Sequence, residues 1–324
     1  MIGTALLFFL EASGRHARLA LPVGVVLAVL LPDSHGMFKP LAPFILALLV
    51  ASAVVRLDSV AVLKAALPPH RLFRNFLISL GLLMLAPTVL VLTARGLGCD
   101  QMLLPFITWY AVAPPIATTV WMCVFLGFTA PVAMEIVVLT NILAPFTGPY
   151  LGGVLLGEVV PLSSFALSIR IGAILGGGIL AAILCRRLLG ASRIEAQRQR
   201  LDGVSTLAML AFLVPVFDGI GGLAAGMPVL ALICVGLACI LNFGSQALIF
   251  LGGRLLVRQR GTLPEGTRSI AVVAGNRNLG LYFAALPADP IFSLFVAAYQ
   301  LPLYLTPMIA GWFADRQNRR CASR

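Results

Sequence analysis

Long apolar runs separated by short polar clusters follow one another along the whole 324-residue chain. A run of about 20 apolar residues is long enough to cross a bilayer as a helix. Residues 1–10 are apolar but precede the charges of Glu11 and Arg15, which is the reverse of a cleavable signal peptide and predicts a short interfacial helix. The remaining pattern predicts ten spans, at about Leu19–Leu31, Leu41–Val55, Leu72–Ala94, Met102–Phe128, Pro131–Leu156, Ser164–Leu184, Thr206–Ile220, Pro228–Leu251, Ser269–Leu286 and Ile291–Phe313.

The basic residues divide very unevenly between the two sides of these spans. With the N-terminus placed inside, nineteen of the 23 Lys and Arg residues fall in inside segments. Cytoplasmic loops are enriched in Lys and Arg in this way. The distribution therefore predicts an integral membrane protein, of a bacterial inner membrane, with both termini cytoplasmic. The inside residues are Arg15, Arg18, Arg56, Lys64, Arg71, Arg74, Arg186, Arg187, Arg193, Arg198, Arg200, Arg254, Arg258, Arg260, Arg268, Arg316, Arg319, Arg320 and Arg324, and the others are Lys39, Arg95, Arg170 and Arg277.

The ten predicted spans form two halves of five, at about residues 1–158 and 159–324. Because five is odd, the halves have opposite orientations, so a repeat between them is inverted. Pro114-Pro115 interrupts the fourth span, and Gly275–Gly280 interrupts the ninth, its counterpart. Paired interruptions of this kind are typical of transport sites. We predict a single all-α polytopic domain of ten transmembrane helices, in which helices 4 and 9 are broken near mid-membrane and cross.

Composition supports a membrane protein and argues against several other classes. Hydrophobic residues make up 60% of the chain, charged residues 11%, and the mean hydropathy is +1.01. The net charge of +11 lies in short clusters between apolar runs, so we expect no nucleic-acid partner. The six cysteines include no CxxC pair, and none of the three histidines lies near a cysteine cluster, so we expect no metal site. Without a nucleotide-binding loop or a catalytic triad, we expect neither an enzyme nor a cofactor.

Four stretches of the chain resemble the bile acid:sodium symporter family, within the ten-helix superfamily of bile acid, arsenite and riboflavin transporters. They are LALPVGVVLAVLLPD, RLDSVAVLKAALPPHRLFRNFLISLGLLMLAP, AVAPPIATTVWMCVFLGFTAPVAMEIVVLTNILAPFTGPYL and AVVAGNRNLGLYFAAL. The resemblance covers nearly the whole chain and lies in span order and in proline and glycine placement. It implies a panel of helices 1, 2, 6 and 7 against a core of helices 3–5 and 8–10, with helices 4 and 9 crossing where they unwind.

The chain departs from the sodium-coupled members where the resemblance would place sodium ligands. Those members have a proline–glycine–glycine turn and a serine–asparagine pair in the fourth span, and a glutamate and a glutamine–asparagine pair in the ninth. Sodium requires several oxygen ligands, so the resemblance implies a divergent relative that does not couple to sodium. In this chain the fourth-span positions are occupied by Pro114-Pro115-Ile116, Thr119 and Val120, and the ninth-span positions by Val273, Arg277 and the retained Asn278. The resemblance also implies hydroxyl ligands in the fifth span and a polar ligand in the third, and these positions are occupied here by Ala133, Val137 and Leu82.

The ninth span supplies four candidate substrate-binding residues, Gly275, Asn276, Arg277 and Asn278. A charged residue at the centre of a membrane helix costs roughly 2.5–3.5 kcal/mol or more and is functional by default. Arg277 is predicted to be a fixed cation in place of a bound ion, a structural arginine paired with backbone carbonyls, or one that reaches the cytoplasmic face. Asn276 and Asn278 can both face a cavity only on unwound backbone, and helix–helix hydrogen bonding is the alternative.

The first half supplies the other candidates. The double proline removes two backbone donors and predicts a break in the helix. The two threonines that follow it are predicted either to contact substrate or to cap the next half-helix, whose first amides carry partial positive charge. A further hydroxyl and amide in the fifth span are predicted to line the cavity. These candidates are Pro114, Pro115, Thr118, Thr119, Thr140 and Asn141.

Three further charged residues have plainer interpretations. Glu135 is predicted to be an interfacial carboxylate rather than a partner of Arg277 or a proton carrier. Asp218 is predicted to be an acid of an outer loop, with proton coupling as the alternative. Arg170 is predicted to extend to the outer surface.

These patterns predict a secondary transporter of a small organic anion or another small organic solute, working by alternating access. Its partners would be that substrate and the lipid bilayer. Two alternatives stay open, an efflux permease of the auxin- or arsenite-carrier type and a membrane scaffold or sensor that transports nothing.

Overall fold

The computed structural model describes residues 2–56, 69–157, 162–260 and 266–322, and every regular element within them is helical. Lys64, Glu158, Arg324 and the predicted boundary between the two halves lie outside the described residues. The helices are α1 (Ile2–Arg15), α2 (Ala17–Ala28), a 3₁₀ turn (Lys39–Leu41), α3 (Ala42–Val54), α4 (Pro69–Gly96), α5 (Leu104–Val112), α6 (Thr119–Phe125), α7 (Ala130–Leu156), α8 (Ser164–Leu189), α9 (Ala191–Ala196), α10 (Arg198–Phe217), α11 (Ile220–Gly226), α12 (Pro228–Arg260), α13 (Thr267–Gly275), α14 (Gly280–Ala285) and α15 (Pro290–Ala322).

Each predicted span coincides with a described helix or with a pair of short ones. Six helices in the described ranges are long and apolar enough to cross a membrane: α4, α7, α8, α10, α12 and α15. Helices α2 and α3 are apolar but shorter, and the pairs α5/α6 and α13/α14 replace the fourth and ninth predicted spans. Several boundaries differ from prediction: α10 begins at Arg198 rather than near Thr206, α12 ends at Arg260 rather than near Leu251, and α15 ends at Ala322 rather than near Phe313. The predicted all-helical, membrane-type architecture is confirmed at this level.

The helices pack as two groups, which contact each other directly where α7 meets α8 and where α15 meets α2 and α10. In the first, α10 packs against α1, α2 and α3, and α3 packs against α8. In the second, α7 packs against α4, α5, α6 and α13, while α12 packs against α13 and α15. Helix α14 lies between the groups, because it contacts α3 and α8 as well as α15.

Loop residues that the charge pattern places outside lie together at one end of the bundle. The carboxylate of Asp218 accepts hydrogen bonds from the amides of Ser34 and Gly36, at 2.6 and 2.8 Å. The ammonium group of Lys39 lies 5.0 Å from the ring centroid of Phe283 in α14. We call this end the outer end.

Residues predicted to lie inside meet at the opposite end. The guanidinium of Arg56 pairs with the carboxylate of Asp202, and Arg186 Nη1 donates to the carbonyl of Val55 at 3.1 Å. Arg200 Nε and Glu11 Oε1 form an ion pair at 3.0 Å. This end, the inner end, joins α1, α3, α8 and α10.

Helix α1 packs closely along α10 at the inner end. A Cβ added to Gly203 would lie 2.0 Å from the carbonyl oxygen of Leu10, so only glycine permits this approach. Together with the Glu11–Arg200 pair, the contact makes α1 an integral part of the first helix group.

Candidate functional site

The two interrupted helices are joined by their unwound backbones. The amide of Ile116 donates to the carbonyl of Asn276 at 2.9 Å, and the amide of Asn278 donates to the carbonyl of Pro114 at 2.7 Å. Pro115 and Arg277 thus face each other in a single antiparallel bridge. The bridge satisfies backbone groups that the breaks remove from the helical ladders, as burial in a membrane protein requires. The predicted breaks are therefore present, and the two broken segments contact each other.

Arg277 is buried beside this bridge, with 4% of its surface exposed. Its Nε donates to the carbonyl of Ala274 at 2.8 Å, and its Nη1 donates to the carbonyl of Ala113 at 3.1 Å. These acceptors lie at the C-terminal ends of α13 and α5, where helix dipoles concentrate negative charge. No carboxylate pairs with Arg277 in the described part of the chain. The geometry matches the predicted structural arginine paired with carbonyls.

The third acceptor for Arg277 comes from a distortion in α4. Residues Gly81–Leu85 form a π-helical segment, in which the amide of Ala86 donates to the carbonyl of Gly81, five residues earlier. Pro87 is next in this register and has no amide hydrogen for the carbonyl of Leu82. That free carbonyl accepts a hydrogen bond from Arg277 Nη2 at 3.4 Å.

A buried polar network holds Gly275 at the end of α13. Its carbonyl accepts from Asn242 Nδ2 at 2.8 Å, from the hydroxyl of Tyr299 at 2.8 Å and from that of Tyr110 at 3.2 Å. The same Tyr299 hydroxyl accepts from the amide of Arg277 at 2.7 Å. A Cβ on Gly275 would lie 2.5 Å from the carbonyl oxygen of Asn242, so a larger residue would disturb the packing of α13 on α12.

A cavity of about 560 Å³ lies between the two helix groups. Its volume is in the range of small-molecule sites, and most of its lining is apolar with a few polar groups. The first group supplies Val50, Val54, Ile179 and Met209, the second supplies Ala117, Thr118, Trp121, Val137 and Asn141, and the inner end supplies Arg56, Arg186, Arg198 and Asp202.

Only two of the predicted site residues line this cavity, Thr118 and Asn141. Asn141 Nδ2 donates to the carbonyls of Val137 and Pro115, at 2.8 and 3.2 Å, and so ties α7 to the first break. The hydroxyl oxygen of Thr118 is buried, without a hydrogen-bond partner in the described residues.

The other candidates are used within the protein. Thr119 donates to the carbonyl of Ile116, and Thr140 donates to the carbonyl of Ile136 at 2.6 Å within its own helix. Asn276 Nδ2 donates to the carbonyl of Val272 at 2.8 Å. The backbones of Pro114, Pro115 and Gly275 take part in the bridge or the network above, whereas Arg277 and Asn278 border a separate gap of about 20 Å³. That gap has room for roughly one water molecule.

Of the three further charged residues, Glu135 differs from the sequence-based expectation. The side chain of Glu135 is buried, whereas an interfacial carboxylate would be exposed. It forms an ion pair with Arg71 at 3.4 Å and accepts a hydrogen bond from the side-chain amide of Asn75. Arg170 is exposed, as predicted, and its Nη1 also donates to the carbonyl of Ala285 at 2.9 Å. Asp218 is bound by two loop amides, which fits the predicted loop acid.

The sequence-based interpretation missed four residues that support the site. Tyr110, Asn242 and Tyr299 surround Gly275, and Pro87 frees the carbonyl for Arg277. Asn242 is polar inside an apolar span, and Pro87 lies inside a long apolar run, so these two carried a local sign, whereas the two tyrosines did not.

No family model matches the chain, and no curated protein matches it. The four sequence stretches given above are therefore the only support for the resemblance to the bile acid:sodium symporter family.

Proposed function

We propose that the chain is a secondary transporter of a small organic anion or another small organic solute, and that it works by alternating access without sodium. The observation that carries this proposal is the cavity between two helix groups, bordered on one side by a broken helix. Carriers commonly bind substrate where discontinuous helices meet, and move one helix bundle against another around that site.

The finer architecture belongs to the same proposal. Ten spans in two inverted halves, both termini cytoplasmic and a location in the bacterial inner membrane account for the nineteen basic residues of the inside segments. The clustering of inside residues at one end of the bundle, and of outside residues at the other, supports this topology.

The outer end of the proposed pathway is closed by α14. The ring of Phe212 in α10 contacts the ring of Phe283 in α14, with their centroids 6.1 Å apart. A Cβ on Gly280 would lie 2.7 Å from the Phe212 ring. Arg170 bonds the carbonyl of Ala285 in the last turn of α14, and Lys39 lies over Phe283. The cavity, by contrast, reaches the basic residues of the inner end. This state would be the inward-facing state of the carrier.

The position of Arg277 supports the proposed absence of sodium coupling. Carbonyls at the C-terminal ends of half-helices are groups that bind sodium in carriers with broken helices. Here three carbonyls bind a guanidinium, which is charged at every physiological pH and is covalently attached. Such a cation supplies the charge of a bound ion but cannot be released down a gradient. The energy source would be substrate exchange, the substrate gradient itself or protons.

Transport can be tested with the purified full-length protein. A thermal-shift screen of organic acids identifies a ligand, because a ligand at 100 times its Kd stabilises the folded state by about 2.7 kcal/mol. Proteoliposomes loaded with that acid should exchange it with labelled external acid, whereas protein-free liposomes should not. Specific binding without exchange would support a sensor or scaffold instead.

The proposed topology has a separate test in intact cells. Cysteines introduced at Asp33, Asp100 and Asp289 should react with an impermeant maleimide from the outside. A cysteine at Arg187, predicted to be inside and exposed in the structure, should react only after the cells are opened. Reaction of the first three only in opened cells would refute the topology.

A further inference from the structure

The inner end of the cavity is lined by several arginines, which the sequence-based interpretation did not consider as substrate-binding residues because it centred on Arg277. The lining residues include three arginines, Arg56, Arg186 and Arg198, and one carboxylate, Asp202. At neutral pH these side chains sum to two positive charges. We propose that these arginines, not Arg277, select anions and hold the charged group of the substrate at the inner end of the cavity. This inference rests on the proposed transport function for its biological meaning, but not for its test.

Arg277 is unsuited to that role. Its side chain donates to three carbonyls, and it is absent from the residues that line the cavity. The gap that it does border, of about 20 Å³, is far too small for an organic ion. A buried guanidinium without partners would attract an anion, but this one has partners. Preference for an anion must therefore come from other charges.

The arginines of the cavity differ in how firmly they are held. Arg56 pairs with Asp202 and also donates to the carbonyl of Leu201 at 2.8 Å and to the hydroxyl of Ser205, so it is a fixed part of the wall. The side chain of Arg198 is 55% exposed and pairs with Glu195 at 3.4 Å, itself 73% exposed. Exposed pairs of this kind are weak, so Arg198 can turn towards an anion at little cost.

The position of these charges suits an electrostatic entrance. Low-dielectric walls concentrate the field of charges at the mouth of a cleft and raise the local concentration of oppositely charged solutes. Beyond the arginines the cavity is mainly apolar as far as Thr118 and Asn141. An organic anion would keep its charged group near Arg186 and Arg198, with its apolar part against side chains such as Val54, Ile179 and Met209.

A tryptophan in the cavity allows a test that needs no identified substrate. Trp121 lines the cavity, whereas Trp109 is buried against Tyr282 with ring centroids 4.7 Å apart. Quenching of fluorescence is measured with iodide, caesium and acrylamide at constant ionic strength in detergent-purified protein. The difference between the wild type and Trp121→Phe isolates the signal of the cavity. We expect iodide to quench this signal at least about twofold more than caesium, after correction for the intrinsic efficiency of each quencher.

Substitutions then assign the effect to particular arginines. Arg186→Gln and Arg198→Gln should each lower the iodide quenching constant, together by at least about half, and leave acrylamide quenching unchanged. Arg186→Lys and Arg198→Lys should retain it, because charge is the selecting property. The matched control is Arg187→Gln, which removes the same charge from the same turn of α8 but lies outside the cavity.

The outcomes separate this inference from the transport proposal. Equal quenching by iodide and caesium would overturn the inference, as would an equal effect of Arg187→Gln and the two cavity variants. A change in acrylamide quenching in a glutamine variant shows altered folding, and the lysine variants and Arg187→Gln then decide the result. Selective iodide quenching with no flux in proteoliposomes would uphold the anion site and refute transport.

Discussion

Arg277 Nη2 donates to the carbonyl of Leu82 across 195 positions of sequence, at 3.4 Å. The carbonyl is available because the π-helical segment of α4 offsets the register by one residue and Pro87 then provides no amide hydrogen. The π-helical segment of α4 thus provides the third carbonyl that binds the guanidinium of Arg277, which lies at the break between α13 and α14. The buried cation and the distortion of α4 are structurally coupled.

Loss of the guanidinium should destabilise the protein. Arg277→Ala leaves three buried carbonyls without their donor, and we expect a loss of about 3 kcal/mol and a thermal midpoint lower by about 5–10 °C in detergent. The thermal midpoint of Arg277→Lys should lie between those of the wild type and Arg277→Ala. One ammonium group cannot match the planar guanidinium, which reaches all three carbonyls. The control is Arg187→Gln on the exposed surface. An unchanged midpoint for Arg277→Ala would contradict the structural part of the account.

The link between Pro87 and Arg277 predicts non-additive effects. In Pro87→Ala a backbone amide can donate to the carbonyl of Leu82, from residue 87 in the π register or from residue 86 in the α register. That carbonyl then depends less on Arg277. Arg277→Ala should therefore cost about 1 kcal/mol less in the Pro87→Ala background than in the wild type. Thermal unfolding of the four proteins measures this coupling, and strict additivity would show that the two residues act independently.

The breaks could be predicted from sequence because their causes are local. Two consecutive prolines cannot continue a helix, and Gly275 with two nearby asparagines loosens an apolar one. The helical class and the approximate spans were equally accessible, since they follow from runs of apolar residues.

The partners of Arg277 could not be predicted in the same way. They are backbone carbonyls, which every residue has, and two of them lie 164 and 195 positions away. Side-chain direction was also hidden. Neighbouring residues Thr140 and Asn141 were both expected in the cavity, yet Thr140 bonds back to its own helix while Asn141 reaches Pro115 and lines the cavity.

The contact between Arg170 and Ala285 should hold the outer end closed. It joins α8 to the C-terminal turn of α14, and one such hydrogen bond is worth about 1 kcal/mol, or roughly a fivefold change in population. Leu46, which is 2% exposed and lies against Gly280, reports opening when it is replaced by cysteine. Arg170→Gln should raise alkylation of Leu46→Cys from outside about fivefold, and Arg187→Gln should leave it unchanged. Equal rates of alkylation of Leu46→Cys with and without the Arg170→Gln substitution would refute this role.

The loop contact of Asp218 predicts a pH-dependent contribution to stability. Partial burial raises the pKa of this carboxyl, but the hydrogen bonds from Ser34 and Gly36 and the nearby His35 outweigh that effect and lower it overall. The ionised group therefore stabilises the fold above its unfolded pKa of about 3.9, and this contribution is lost as the pH falls through the lower folded value. Asp218→Asn should lower the thermal midpoint at every pH above about 5, with the difference shrinking below about pH 4. A difference that persists undiminished at pH 3 would assign it to packing.

The central claim is that Arg277 takes the place of a transported cation. The most direct measurement is the initial rate of uptake, into proteoliposomes, of the organic acid that gives the largest thermal shift, with external sodium or with choline. We predict equal rates in the two media and no accumulation driven by an imposed sodium gradient. Strict dependence of wild-type uptake on sodium would contradict the account.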